Sequence, residues 1–281
     1  MKSDLKVALF VPCYVDLIYP NVAVSTVRVL RRLGVDPQYL SGQTCCGQPA
    51  FNSGFFGEAR SVARHFFDVF EKDEKRGEQW DYIVTPSGSC ATMVAHYYPT
   101  LFKERPDDRE RSDRISSKVR ELSDFLVNVL EVEDLGAKLE GRAVFHNGCH
   151  QRRELGVVNE PYQLLDNVQG LQVEPWKNEE LCCGFGGTFA VKMPDVSTAM
   201  ADEKLKALEQ SEADTLISCD SSCLMHLEGR LRRRESERGR ERGSERDATR
   251  VYHLAEVLDG VIGGPERKTS RNVESREPEV S

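Results

Sequence analysis

The stretch Leu5-Lys6-Val7-Ala8-Leu9-Phe10-Val11-Pro12-Cys13 opens on a nearly continuous apolar run and closes on a cysteine. A run of this kind suits a short strand buried on both faces, the pattern of a parallel sheet covered by helices. Reading outward, Val22 to Leu33 carries apolar residues at helical spacing and stops at Gly34. Tyr39-Leu40 supplies a short strand, and Glu58 to Phe70 is amphipathic, with Val62, Phe66, Val69 and Phe70 on one side. Asp81 to Thr85 is the next strand, and Ala91 to Phe102 the next helix. Strands alternating with helices predict an α/β fold with a mainly parallel sheet and flanking helices. The cysteines fall just past strand C-terminal ends or at helix starts, the edge where open α/β sheets bind ligands.

The same pattern returns. Cys13, Cys45, Cys46 and Cys90 align with Cys149, Cys182, Cys183 and Cys223 at offsets of 136, 137, 137 and 133 residues. Each vicinal pair is followed by glycine, Gly47 and Gly184. Val7 to Phe10 matches Ala143-Val144-Phe145, Tyr82-Ile83-Val84 matches Thr215-Leu216-Ile217, and Leu122 to Leu126 matches Leu254 to Leu258. Landmarks within a few residues of one period are the signature of an internal duplication. The second copy repeats the elements: strand Ala143 to Phe145, helix Tyr162 to Asn167, strand Leu171 to Val173, helix Asp195 to Glu209, strand Thr215 to Ser218, and a helix from Leu224. The sequence therefore predicts two tandem modules, residues 1–135 and 136–263. Lys103 to Arg114 and 229–249 occupy the same place in the two copies and read as polar loops. The second, with eight arginines against five acids between Arg230 and Asp247, reads as a disordered insertion and solvated linker. Residues 264–281 read as a disordered tail.

Composition narrows the chemistry. The 281 residues carry 38 basic and 46 acidic side chains, a net charge of −8, which argues against nucleic acid as a partner. No apolar run reaches membrane length, and the N-terminus lacks a signal-peptide cleavage pattern, so a cytoplasmic location is expected. Nine cysteines in a reducing compartment, an odd number, do not make a disulfide framework; metal ligation or redox chemistry is the reading.

Cys149, Cys182, Cys183, Cys219 and Cys223 offer five thiolates in the second module. A structural zinc ion takes four ligands, commonly from two C-x-x-C-like knuckles, and two adjacent cysteines suit that poorly. Adjacent side chains diverge, so they fit two metal atoms of an iron–sulfur cluster, expected here as [4Fe–4S]. Gly184-Phe185-Gly186-Gly187 follows directly, and Gly184 and Gly186 let the backbone approach such a cluster and aim N–H groups at its sulfides. The nucleotide patterns G-x-G-x-x-G and G-x-x-x-x-G-K-[ST] are absent. In the first module Pro86 stands where the second has Cys219, leaving Cys13, Cys45, Cys46 and Cys90 for a second cluster or a zinc ion. This difference predicts two unequal centres. Ser87 and Ser89 read as loop hydrogen-bonders. His150, beside Cys149, is a candidate to support the ligating thiolates from behind or to relay a proton; His146, His96, His226, His65 and His253 are more ordinary structural histidines. No redox C-x-x-C, flavin or nicotinamide fingerprint is present, so the chain is equipped to pass electrons, with no catalytic residue of its own.

The segments Val11-Pro12-Cys13-Tyr14-Val15-Asp16, Thr44-Cys45-Cys46-Gly47-Gln48-Pro49-Ala50, Pro86-Ser87-Gly88-Ser89-Cys90, Cys182-Cys183-Gly184-Phe185-Gly186-Gly187-Thr188-Phe189 and Cys223-Leu224-Met225-His226 resemble the cysteine-rich CCG proteins. That family includes the B subunit of heterodisulfide reductase, the iron–sulfur subunit of glycolate oxidase and proteins of lactate utilisation. The resemblance implies an oxidoreductase subunit in a cytoplasmic three-protein system oxidising L-lactate to pyruvate. Its implied partners are a ferredoxin-like iron–sulfur protein and a smaller third subunit. Another 2-hydroxy acid such as glycolate, or a metal-stabilised scaffold without redox turnover, are the alternatives. Cys219 and Cys223 stand one residue further apart than the C-x-x-C of the family.

Overall fold

The computed structural model of the chain describes residues 5–71, 79–241 and 249–260. In the first copy, β1 (Val7–Leu9) leads into α1 (Cys13–Leu17) and α2 (Pro20–Arg32). Then come β2 (Gln38–Tyr39), α3 (Gln48–Asn52), α4 (Phe56–Phe70) and β3 (Tyr82–Thr85). α5 (Gly88–Thr92) continues through a π-helical turn into α6 (Tyr98–Leu101), followed by α7 (Pro106–Lys118), β4 (Val119–Glu121) and α8 (Leu122–Asp124). The second copy runs β5 (Lys138–His146), α9 (Glu160–Asp166), β6 (Gln169–Val173), α10 (Phe189–Lys192) and α11 (Pro194–Glu209). It ends with β7 (Thr215–Ser218), α12 (Ser221–Glu241), β8 (Arg250–His253) and α13 (Leu254–Asp259).

The strands form two four-stranded sheets of equivalent order, β2-β1-β3-β4 and β6-β5-β7-β8. Every pairing in both is parallel, with Ala8 opposite Ile83 in one and Val144 opposite Leu216 in the other. The predicted class, a duplicated parallel α/β unit, is the observed one. Strand alternation sorts the core, because successive side chains point to opposite faces. Val7 and Leu9 join Phe145, Ile217 and Leu258 in an apolar cluster that draws on both copies. Ala8 and Phe10 face the other way, onto Phe66, Phe67 and Phe70. In the second copy Val144 and Leu216 pack on Leu205 and Leu224. Each buried large side chain contributes roughly 1.5–3 kcal/mol, whereas an exposed ion pair gives about 0–1 kcal/mol. The packed faces therefore hold the modules together more than their many surface charges do. Among the described residues, no helix is long and apolar enough to cross a membrane.

Two segments differ from their reading as loops. Most of Lys103 to Arg114 lies in α7, which starts with Pro106 in its first turn, followed by Asp107 and Asp108, and buries Ile115. Proline at a helix start and acids near its N-terminus are favourable start signals. The charges that looked like a solvated loop are paired: Arg64 with Asp108 at 2.8 Å, and Arg111 and Arg114 with Glu71 at 2.7 and 2.6 Å. Likewise, the expected disordered insertion 229–249 is helical as far as Glu241. Leu231 is buried, and Arg230 forms a fork on the Asp202 carboxylate at 2.7 and 2.9 Å, fixing α12 to α11. Residues 242–248 and the tail 264–281 lie outside the described residues.

Candidate metal centre

In both copies the strand ends gather four cysteines. Cys13 opens α1, Cys45 and Cys46 precede α3, and Cys90 lies in α5. Cys46 Sγ stands 3.4 Å from Cys90 Sγ, and the Cys13 thiol hydrogen-bonds Cys45. Gly47, in the left-handed region at φ 87°, turns its N–H onto Cys45 Sγ at 3.3 Å. In the second copy Cys183 Sγ stands 3.1 Å from Cys223 Sγ and Cys149 Sγ 4.0 Å from Cys182 Sγ. Gly184, at φ 90°, gives its N–H to Cys182 Sγ at 3.3 Å, and Phe185 donates to Cys183 Sγ at 3.5 Å. These separations far exceed a disulfide bond of about 2.05 Å, and all nine cysteines are free.

The acidities follow from this crowding. Hydrogen bonds from Cys13 and then Cys46 hold Cys45 as a thiolate, its pKa lowered to about 3. Cys149 and then Cys183 do the same for Cys182, lowered to about 2. Cys46 and Cys183 are pushed up, first by hydrogen bonding to Cys45 and Cys182 respectively. Four converging thiol groups with one already ionised are a donor set for a soft metal ion or an iron–sulfur cluster, which takes thiolates and releases protons.

A further buried group tests the fit. His146, the last residue of β5, is fully buried, and neither ring nitrogen has a hydrogen-bond partner among the described residues. A nitrogen of its ring and the Cys183 and Cys223 sulfurs lie within 4.8 Å of one another. Burial first, then the Lys204 charge, lowers its pKa to about 3, so the imidazole is neutral. An orphaned neutral imidazole beside the Cys183 and Cys223 thiols fits a bound metal centre, because buried polar atoms otherwise find partners.

Not every sequence candidate joins. Cys219 is buried on the opposite face of the sheet, with Ile217, while Cys183 and Cys223 pack with Leu216. Strand alternation explains it: Cys219 follows Ile217 by two residues, and Leu216 points the other way. Its thiol meets Gln151 and Ser123 and is pushed up by burial and then by Glu121, so it stays protonated. Four cysteines therefore converge in the second copy, as in the first, and the asymmetry argued from Pro86 does not appear in the number that converge. Gly184 touches a thiol, whereas Gly186 turns the chain against Phe189, where an added Cβ would stand 2.8 Å from its Cβ. His150 Nδ1 lies 3.7 Å from Cys149 Sγ. His226 reaches Ser197, His65 the Gly42 carbonyl, and His253 caps α13; His96 is exposed.

Asp220 escaped the sequence reading. Its fully buried carboxylate accepts from Ser89 N at 2.7 Å and Ser87 Oγ at 3.3 Å in the first copy. It also accepts from Ser222 N at 3.1 Å and Ser222 Oγ at 2.5 Å in its own. Burial pushes its pKa up, but the hydrogen bonds from Ser222 and Ser89 outweigh it and hold the acid ionised. Ser89 precedes Cys90 and Ser222 precedes Cys223, so one carboxylate joins the two cysteine loops. On the other side Phe185 meets Tyr14, edge to face at 5.4 Å, and Ser53 meets Thr188 at 2.5 Å. No sequence period distinguishes Asp220 from any loop aspartate, because its partners come from the other copy.

Comparison with known proteins bears on this arrangement. The family of the cysteine-rich CCG domain matches residues 7–95 and 143–228, one stretch per copy. Lactate utilization protein A of Anoxybacillus flavithermus is 47% identical over 255 residues, covering 91% of this chain and 99% of that protein. Lactate utilization protein A of Geobacillus thermodenitrificans is 45% identical over 255 residues, 91% of this chain and 99% of that one. Among solved structures, a hypothetical protein from Helicobacter pylori superposes with a TM-score of 0.61 at 9% identity, covering 94% of this chain and 50% of that chain, a likeness of fold alone.

Proposed function

The chain belongs to the cysteine-rich CCG domain family, and on that premise we propose that it is the iron–sulfur electron-transfer subunit of a cytoplasmic system that oxidises L-lactate to pyruvate. The observation that carries the reading is the duplicated four-cysteine set, each copy at the same edge of an equivalent sheet. The relatives are named for lactate utilization, which supports lactate as the substrate of the system. A bound [4Fe–4S] cluster supplies one-electron redox chemistry, and two sets match the two electrons released when a 2-hydroxy acid becomes a 2-oxo acid. Cys13, Cys45, Cys46 and Cys90 would hold one centre, and Cys149, Cys182, Cys183 and Cys223 the other. The chain's own contribution is to hold these thiolates converged, to close them with Phe185 and Tyr14 against water, and to tie the two loops through Asp220. The removal of two electrons and two protons from lactate falls to partners, a ferredoxin-like iron–sulfur protein and a third subunit.

The test is iron, sulfide and zinc analysis of protein purified without oxygen, followed by reduction with L-lactate in the presence of those partners. Iron and sulfide in equal amounts, with bleaching of the thiolate-to-iron absorption on adding lactate, is the expected result. Zinc alone, or iron centres that lactate leaves oxidised while glycolate reduces them, would refute it.

A further inference from the structure

The two cysteine sets match, but the walls behind them do not. Phe10 occupies the place of His146 at the repeat offset of 136, and Phe67 that of Lys204 at 137. In the first copy both positions are rings: Phe10 packs edge to face on Phe66 at 4.9 Å and on Phe70 at 6.0 Å, and Phe67 packs on Tyr98 and Phe102. All of these belong to the apolar cluster that also contains Cys46 and Cys90. In the second copy, His146 places a ring nitrogen beside Cys183 and Cys223 with no other partner among the described residues. Lys204, fully buried, donates from Nζ to the Asn178 and Glu179 carbonyls at 3.2 and 2.9 Å and lies 4.3 Å from the Trp176 ring centroid. Carbonyl oxygens and an indole face are the surroundings of a cation. Cys183, Cys223 and Cys182 all feel its charge.

We propose that the second cysteine set forms the higher-potential centre of the two, with the His146 imidazole beside it as an N–H donor and the Lys204 ammonium in its field, so that electrons would pass from the first centre to the second. This rests on the reading of both sets as iron–sulfur centres. Reduction adds negative charge to a cluster, so a nearby cation stabilises the reduced form. An N–H donated to a cluster sulfur raises the potential as well. Among the described residues, the first copy carries phenylalanines at both positions, so neither the imidazole nor the ammonium has a counterpart there. With clusters held by the two cysteine sets, one electron would leave the reduced first centre and enter the oxidised second, with no bond or proton exchanged. The loops tied through Asp220 place the centres on either side of one interface.

The experiment is a redox titration of the full-length, anaerobically loaded protein, followed by electron paramagnetic resonance. The two signals are assigned by their loss in Cys46→Ala and Cys183→Ala. The second-centre signal should appear at the higher potential. In Lys204→Met and in His146→Phe it should shift to lower potential by roughly tenfold in the reduced-to-oxidised ratio, 59 mV for one electron, while the first-centre signal stays in place. A merely structural role would move neither midpoint. If His146→Phe fails to retain iron, wild-type protein labelled with ¹⁵N-histidine decides. An imidazole nitrogen coupling on the second signal supports the contact, and its absence overturns it. Two signals in the reverse order, or midpoints indifferent to both substitutions, refute the inference. Absence of any reducible iron–sulfur signal refutes instead the function on which it rests.

Discussion

Gly47→Ala and Gly184→Ala make the same change at the same place in the two copies, yet the structure separates their costs. Both glycines sit in the left-handed region, at φ 87° and 90°. An alanine there costs roughly 1–2 kcal/mol in either copy. At Gly47 the added Cβ would meet Val62 at 3.4 Å and the Ala59 carbonyl at 3.5 Å, ordinary contacts. At Gly184 it would stand 2.6 Å from the Ser197 carbonyl and 2.9 Å from the Met200 Cβ, so α11 or the cysteine loop must move. Such overpacking adds typically about 1–3 kcal/mol. The same shift also disturbs the 2.8 Å hydrogen bond that Ser197 Oγ donates to the Gly184 carbonyl. At roughly 2–4 °C per kcal/mol for a chain somewhat under this size, Gly184→Ala should melt about 2–12 °C below Gly47→Ala. Matched thermal melts of the two metal-loaded variants, with iron counted before heating, measure this. If the two melt together, or Gly47→Ala melts lower, the close approach of α11 to the second cysteine loop is not what sets the cost.

Cys219→Ala should leave the iron content unchanged, while Cys183→Ala and Cys46→Ala each lose a similar share; iron loss in Cys219→Ala equal to that in Cys183→Ala would put Cys219 back among the ligands. Arg230 first, then Arg234, lowers the pKa of Asp202. Its contribution is therefore present above the ordinary carboxylate pKa of about 3.9 and is lost as pH falls through the depressed folded value. The melting-temperature gap between wild type and Asp202→Asn should thus close in acid, and a constant gap would refute the pairing. Burial pushes the Glu121 pKa up to about 7. The folded state favours its protonated form, so that stability is present at acid pH and is lost as pH rises from about 4.3 through 7. Glu121→Gln, which keeps the oxygen that accepts from Ser123 N at 2.8 Å, should flatten urea-unfolding stability across pH 5 to 8, and parallel curves for the two proteins would count against it.

The sheet was legible because its signal is local. Val7 to Phe10 and Thr215 to Ser218 are buried strands by their own composition, and the offset of the cysteines announces the duplication whatever the tertiary context. Helix α7 and the continuation of α12 through 229–241 were not legible, because their charges are answered by residues far away in the chain: Asp108 by Arg64, Glu71 by Arg111 and Arg114, Asp202 by Arg230. A window of sequence registers charge and cannot register its partner. The convergence of the cysteines was legible except at Cys219, where spacing alone counts five. What removes the fifth is the parity of the strand: a residue two places after Ile217 shares its face, and the face of Ile217 belongs to the core shared by the copies.

The two phenylalanines replaced by His146 and Lys204 carry the argument from packing to chemistry. Burying a ring such as Phe67 contributes roughly 1.5–3 kcal/mol, whereas an unpaired buried charge costs several kcal/mol. Lys204 escapes part of that cost through two carbonyls and an indole face, and burial lowers its pKa only to about 8, so it remains largely charged at neutral pH. His146 has no such relief: both of its nitrogens lack a partner among the described residues. The first copy shows that the same sheet and the same four cysteines assemble with apolar rings at both positions, so neither polar side chain is needed to build the module. Folding alone gives no reason for the second copy to carry them. A centre that gains negative charge on reduction gives one, because it offers the imidazole a bonding partner and the ammonium a counter-charge in the same place.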